Sequence, residues 1–69
     1  MEIAEEVGKK IRHLRTSKHI YQADLAVEAD ISREHLSRVE SGHVDANLGT
    51  LYRIAKALGV TMEQLFEGL

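Results

Sequence analysis

The chain has 69 residues, 43% of them hydrophobic and 29% charged, with a net charge of −2 and neither proline nor cysteine. A chain of this length supports one domain that buries only about 60% of its unfolded surface, which leaves no room for a large substrate cavity. The absence of cysteine excludes disulfides, thiolate metal sites and cysteine nucleophiles, so the composition favours a small all-α domain without a cofactor over an enzyme.

The first predicted element is a helix over residues 3–17. Four apolar residues follow one another at steps of four, four and three, as on one side of an amphipathic helix: Ile3, Val7, Ile11 and Leu14. Gly8 weakens a helix by roughly 1 kcal/mol relative to alanine, so we expect a close contact with another helix at this position.

The stretch that follows predicts two short helices, 22–29 and 33–41, separated by a tight turn around Asp30. Ser32 is placed to cap the second helix. Two short helices joined by a turn of a few residues are typical of a helix-turn-helix, in which the second helix enters the major groove of DNA.

The second of these helices has a polar side and an anchoring side. At about 100° per residue, five polar residues fall within roughly 140° of one side, and they are Arg33, Glu34, Ser37, Arg38 and Ser41. Leu36, Val39 and Glu40 lie on the other side. The polar groups can hydrogen-bond base edges or phosphates, although an ordinary solvated helix face has a similar composition.

The rest of the chain predicts a fourth helix over residues 48–58 and a fifth over residues 62–68. Asn47 is placed to cap the fourth helix, and Gly59 to end it. The spacing of Thr61–Gln64 is that of a capping box at the start of the fifth helix.

The charges are unevenly distributed. Residues 8–18 contain no acid and five bases, which are Lys9, Lys10, Arg12, Arg15 and Lys18. Acidic residues lie near the two ends, at Glu2, Glu5, Glu6, Glu63 and Glu67. Because screening limits each charge to about 8–10 Å at ordinary salt, a positive region persists on an acidic chain. We expect weak non-specific DNA binding, with specificity carried by a few contacts.

Features that other locations and functions require are missing from the sequence. No apolar run approaches the roughly 20 residues that cross a bilayer, and the start MEIAEEV lacks the basic opening and apolar core of a signal peptide. The four histidines are scattered without metal-ligand spacing, and no Ser/His/Asp grouping stands out. We therefore expect a cytoplasmic protein with no membrane partner, no metal and no catalytic site.

Taken together, several segments resemble the Cro/phage-repressor type helix-turn-helix domain, also called the xenobiotic-response-element (XRE) family. They are LRTSKH, QADLAVEADIS, HLSRVESG and LYRIAKALGVTMEQLF, and they extend from about Val7 to Phe66. The resemblance implies a five-helix, lambda-repressor-like fold in a bacterial or phage-encoded transcriptional regulator. It also implies that the second and third helices form the unit that reads DNA.

The resemblance further implies roles for individual residues. The base-contacting positions are matched by Arg33, Glu34, Ser37 and Arg38. Gln22 and Ser41 match phosphate-contacting positions, and Gln22 also braces the reading helix. Arg15 and Glu40 match an ion pair that ties the first helix to the third.

Some residues depart from the family pattern. Asp30 and His19 stand where glycine is common, and an aspartate tolerates a left-handed conformation better than most residues. Tyr21 replaces a Ser or Thr cap, a loss of about 1 kcal/mol, and its hydroxyl is instead a candidate for phosphate contact. Lys9, together with Lys10 and Arg12, either attracts the DNA backbone or forms a solvated face.

Arg33 and Arg38 are the candidates for bidentate hydrogen bonding to guanine, each worth about 1–3 kcal/mol of discrimination. Arg38 is preferred because it lies one turn inside the helix, whereas Arg33 at the first turn can equally meet a phosphate. Glu34 either accepts from a cytosine amino group or repels phosphates and orients Arg38, four residues on.

One such domain offers few contacts, so we expect a homodimer on palindromic double-stranded DNA with half-sites about 34 Å apart. Apolar residues at the end of the chain have little chain left to cover them. The predicted dimer surface consists of Val60, Leu65, Phe66, Leu69 and Tyr52.

The resulting prediction is a sequence-specific transcriptional regulator similar to Cro-like repressors, restriction-modification controller proteins and antitoxin-type regulators. The alternative is a protein-interaction module on the same scaffold, such as an antitoxin that neutralises a toxin. The acidic balance favours this alternative, and the side of the helix that carries Arg33 and Arg38 opposes it.

Overall fold

The computed structural model describes residues 2–69, which form five helices and no strand. The helices are α1 (Glu2–Ser17), α2 (Gln22–Glu28), α3 (Arg33–Glu40), α4 (Leu48–Leu58) and α5 (Met62–Phe66). The predicted all-α class and five-helix architecture are confirmed. α5 ends two residues before the predicted position, because Glu67 has an extended backbone (φ −63°, ψ 131°) and Gly68 a positive φ of 84°.

Local hydrogen bonds define the starts of the last three helices. The Ser32 hydroxyl accepts from the backbone N–H of His35 at 3.0 Å, and the side-chain Oδ1 of Asn47 accepts from the backbone N–H of Thr50 at 2.8 Å. The capping box at Thr61–Gln64 forms in both directions. Each of these bonds satisfies N–H groups that have no partner inside the helix.

Two turns next to α2 place non-glycine residues in the left-handed region. His19 has a φ of 58° and Asp30 a φ of 59°. At Asp30 the turn is closed by the backbone N–H of Ile31, which donates to the carbonyl of Ala26 at 3.0 Å. This turn sets the direction in which α3 leaves α2.

The core takes one fully buried large side chain from each helix, namely Ile11, Leu25, Leu36, Ile54 and Leu65. α1 packs against α3, α4 and α5, while α2 packs against α3 and α4. Leu65 is 0% exposed, so its predicted place in a dimer surface is wrong. α5 packs on α1 and α4, and the helical period turns Leu65 toward them.

α1 approaches α3 most closely at Gly8. A Cβ atom at this position would lie against the carbonyl oxygens of Val39 and Glu40, only 2.6 Å from the latter. The expected helix contact at Gly8 is confirmed, and it brings α1 onto the end of the helix that carries the candidate reading residues.

Candidate nucleic-acid interface

α3 is oriented by its buried side. Leu36, Val39 and Glu40 are buried against the rest of the domain. The opposite side carries the five polar candidates, of which Ser37 is half-buried and four are exposed, namely Arg33, Glu34, Arg38 and Ser41. The helix therefore presents a continuous row of hydrogen-bonding groups to solvent.

Glu40 fixes α3 to α1 through Arg15. The Glu40 side chain is 0% exposed, and that of Arg15 is 13% exposed. Arg15 donates from Nε to Glu40 Oε2 at 2.7 Å and from Nη2 to Oε1 at 3.1 Å, which makes a bidentate pair. Its Nη1 donates to the carbonyl of Ile20 at 3.0 Å, just beyond α1. No buried side-chain nitrogen or oxygen in the described part of the chain lacks a hydrogen-bond partner.

Gln22 connects this buried pair to the outward side of α3. Its Nε2 donates to Glu40 Oε1 at 3.1 Å, and its Oε1 accepts from the Nε of Arg33 at 3.4 Å. A carboxylate only accepts and a guanidinium only donates, so one orientation of the Gln22 amide satisfies both neighbours. A chain of hydrogen bonds thus extends from Arg15 to Arg33, and the two terminal nitrogens of Arg33 remain available for a ligand.

Two further bases of α1 make contacts within the protein. Arg12 Nε lies 3.6 Å from Glu40 Oε1, with its side chain 55% exposed. Lys10 donates from Nζ to the carbonyl of Glu67 at 3.0 Å. Lys9, one turn before Arg12 on the same side of α1, is exposed. Sequence reasoning missed the contacts of Lys10 and Arg12 because each joins residues far apart in the chain.

Ser41 and Tyr21 are both exposed, but their hydroxyls differ in what they contact. The Ser41 hydroxyl donates to the carbonyl of Ser37 at 2.8 Å. A phosphate only accepts hydrogen bonds, so Ser41 can donate to one only by releasing this internal bond. Tyr21 is 77% exposed at the start of α2 and makes no capping hydrogen bond.

The remaining candidates for a dimer surface are divided between two hollows. Tyr52, 55% exposed, and half-buried Val60 line one of them. Phe66, 36% exposed, lines a different hollow together with Ile3. Leu69 is exposed at the end of the chain.

Within residues 2–69, no three histidine, aspartate or glutamate side chains are grouped so that they could hold a metal ion. The same residues include no helix with the length and apolar character needed to span a bilayer. The chemistry of the site therefore consists of guanidinium, amide, carboxylate and hydroxyl groups on α2 and α3.

This arrangement is a helix-turn-helix: α3 is set on α2 by a left-handed turn, locked to α1 by an ion pair, and polar along its outer side. The helix-turn-helix family model matches residues 11–65. The chain belongs to this family, in its Cro/C1-type (XRE) form, which consists of DNA-binding transcription regulators and not of enzymes.

The relatives of this chain include a control protein and a phage repressor. Control protein C.BamHI of Bacillus amyloliquefaciens is 38% identical over 61 residues, which cover 87% of this chain and 75% of that protein. The immunity repressor protein of Bacillus phage phi105 is 32% identical over 59 residues, which cover 86% of this chain but only 41% of the repressor.

A solved structure matches almost the whole chain. The restriction-modification controller protein C.AhdI from Aeromonas hydrophila superposes with a TM-score of 0.92 at 29% identity. The match covers 96% of this chain and 100% of that chain. The similarity therefore includes all five helices and not the helix-turn-helix alone.

Proposed function

We propose that this protein regulates transcription by binding a two-fold symmetric operator as a dimer and reading the major groove with α3. The observation that carries the proposal is the hydrogen-bond chain from Arg15 through Glu40 and Gln22 to Arg33. This chain holds a guanidinium on the outward side of α3 before any ligand arrives, which lowers the entropy lost on binding. The similarity to a control protein and an immunity repressor supports a role in gene regulation.

Arg33 is the better prepared of the two candidate guanine readers. Gln22 engages its Nε, and the remaining Nη1 and Nη2 form a fork that suits O6 and N7 of guanine. Arg38, which the sequence favours, makes no side-chain hydrogen bond within the described residues, so its choice between a base and a phosphate is made only on the DNA. We propose that both arginines read bases and that Arg33 is the preorganised one.

Glu34 and Ser37 complete the proposed base-reading set. Glu34 and Arg38 are four residues apart, yet they form no ion pair within 4.0 Å among residues 2–69. Glu34 is therefore left to accept a hydrogen bond from a cytosine amino group, as its outward position allows.

The phosphate contacts are proposed to come from both sides of α3. Gln22 and Tyr21 lie at the start of α2, while Ser41 lies just beyond α3 and Lys9 on α1. These contacts carry no sequence information, but they hold α3 in register on the duplex. The DNA would be encountered in the cytoplasm of a bacterial cell.

We propose that the dimer contact is the hollow lined by Tyr52 and Val60. Tyr52 presents a large, exposed aromatic surface, a residue type enriched at protein interfaces. To read successive major grooves, the two copies of α3 in such a two-fold dimer must lie about 34 Å apart.

The test of base reading is in vitro selection from a randomised duplex library at one stated salt concentration. Wild type should enrich a palindrome, and Arg33→Ala and Arg38→Ala should each relax one different base pair per half-site by about 1–3 kcal/mol. Arg12→Ala is the matched control, because it removes an exposed arginine from another helix. Enrichment by all three variants of the wild-type palindrome, unchanged, would refute reading by α3.

The test of the dimer is sedimentation equilibrium of Tyr52→Glu beside Tyr21→Glu, which adds the same charge at a more exposed tyrosine. Tyr52→Glu should dissociate the dimer, and Tyr21→Glu should not. A wild type that is monomeric at tens of micromolar would rule out a dimer in the absence of DNA.

The second candidate function, a protein-interaction module such as an antitoxin that binds a toxin, is favoured by the net charge of −2. A folded wild type that enriches no sequence would decide for this candidate against DNA reading.

A further inference from the structure

The two ends of the chain meet at an apolar groove on the inner side of α3. Its volume is about 100 Å³, and its lining includes Ile3, Ala4, Val44, Ala46, Leu51 and Phe66. Ile3 is 46% exposed and Phe66 is 36% exposed, so two large apolar side chains of this groove are accessible from solvent. The floor of the groove is formed by the core residues Val7, Val39 and Leu51.

Acidic residues lie in the groove and in the chain segments that form it, and together they make up its acidic rim. Asp45 is part of its lining. The first two turns of α1 supply exposed Glu2, Glu5 and Glu6, and the segment around Phe66 supplies exposed Glu63 and Glu67. Glu5 is packed against Gly42, beside the loop that carries Asp45. Residues 2–8 and 62–69 contain no lysine or arginine, and Lys9 and Lys10 follow the first of these segments on α1, with Lys10 donating to the Glu67 carbonyl.

This charge pattern selects among possible occupants. DNA is disfavoured because its phosphates would meet carboxylates at close range. A second copy that paired through a two-fold axis would bring the same acidic rim against this one, since such an interface uses the same patch on both subunits. An occupant with positive charges around an apolar side chain is attracted by both features of the groove.

We propose that this groove binds a protein segment that presents one bulky apolar side chain between lysine or arginine residues. The volume of about 100 Å³ is smaller than the ~150 Å³ cavity that accepts benzene, so the groove has room for no more than one apolar side chain, such as that of leucine. The acidic rim supplies the attraction for the flanking bases. The proposal is independent of DNA reading, because it uses the opposite side of α3.

The test uses a short peptide with one leucine between lysines, added to ¹⁵N-labelled protein. Its amide shift changes should centre on Ala4, Val44 and Ala46, with a dissociation constant of about 0.1–1 mM for one side chain. Replacing the peptide leucine by alanine should weaken binding about tenfold. Replacing the lysines by glutamates should abolish binding at low salt.

Two protein variants separate the groove from general electrostatic attraction. Ala4→Leu fills the groove with a good helix former and should abolish binding, whereas Ala23→Leu makes the same change at an exposed position on α2 and should leave binding unchanged. Asp45→Lys should lower the affinity for the lysine peptide about threefold. Circular dichroism establishes that each variant is folded.

The proposal is overturned if the lysine peptide produces no shift changes, or produces them on another surface. It is also overturned if the glutamate peptide binds equally well, if the alanine peptide matches the leucine peptide, or if folded Ala4→Leu binds as the wild type does. Loss of binding in Ala4→Leu with retention in Ala23→Leu supports it.

Discussion

Two arginines of α1 approach the same buried carboxylate, and they provide a matched test of what locks α3 in place. Arg15 is bidentate on Glu40 and mostly buried, while Arg12 lies 3.6 Å from the same carboxylate and is 55% exposed. We compare Arg15→Met with Arg12→Met, because methionine keeps most of the apolar stem and removes only the charged end.

The two variants should lose different amounts of stability because Arg15 is mostly buried and Arg12 is exposed. Breaking a buried ion pair costs about 3–5 kcal/mol, since it strands a charge away from water. Glu40 would keep the Gln22 amide at 3.1 Å, so we expect the lower end, about 3 kcal/mol, for Arg15→Met. An exposed pair is worth about 0–1 kcal/mol, which is the range expected for Arg12→Met.

The assay is urea unfolding followed by far-ultraviolet circular dichroism. With a denaturant slope of about 1 kcal/mol per molar for so small a domain, Arg15→Met should lower the urea midpoint by about 3 M and Arg12→Met by less than about 1 M. If the wild-type midpoint is lower than about 3 M, Arg15→Met should be unfolded without denaturant. Equal midpoints for the two variants would show that the burial of Arg15 does not set the cost of breaking its pair with Glu40.

A double variant tests whether the stranded charge of Glu40 causes the loss of stability. Glu40→Met in the Arg15→Met background removes the stranded charge and replaces the pair by apolar side chains, which is often neutral or stabilising. The double variant should therefore be more stable than Arg15→Met alone. It should also lose the hydrogen-bond chain to Arg33, so its selected DNA sequence should be less defined than that of the wild type.

Three further predictions use the same unfolding assay. Gly8→Ala should destabilise the protein despite the better helix propensity of alanine, because its Cβ would meet backbone carbonyls of α3. Gly49→Ala, whose Cβ would have its nearest neighbour at 3.6 Å, should raise the free energy of unfolding by up to about 1 kcal/mol. Changes of the same sign in the two variants would contradict this account. Asp30→Gly should raise the free energy of unfolding by up to about 1 kcal/mol, because glycine adopts a φ of 59° without strain. A loss of stability would show that the Asp30 side chain holds the turn by other means. Tyr21→Ser should raise the free energy of unfolding by about 0.5–1 kcal/mol by restoring a cap to α2, whereas Tyr21→Ala, which cannot cap, should not.

The positions of the helices, and the division of α3 into a buried and an exposed side, could be predicted from the sequence because they depend on local interactions. The hydroxyl, amide and capping-box signals at Ser32, Asn47 and Thr61–Gln64 act within one helical turn, and the structure uses all of them. The helical period alone separates the buried Leu36 from the exposed Arg38. The base and phosphate contacts are still predictions, since they depend on a DNA molecule.

Contacts between distant segments could not be predicted in the same way. A period shows that Leu65 is on an apolar side, but only the packing of α5 on α1 and α4 shows that this side is covered. The links from Glu40 to Arg12 and from Lys10 to Glu67 depend on how the helices cross, which no local signal specifies.

The five helices, their caps and the polar outer side of α3 therefore follow from the amino-acid sequence alone, because each depends on interactions within a few residues. The hydrogen bond of Gln22 to Arg33, and the meeting of the acidic ends of the chain, depend on the tertiary structure. Gln22 reaches Arg33 because the turn at Asp30 places α3 beside the start of α2. Ile3 and Phe66 line one apolar groove because α5 returns to pack on α1, and this packing brings together acidic segments that are separated by most of the chain.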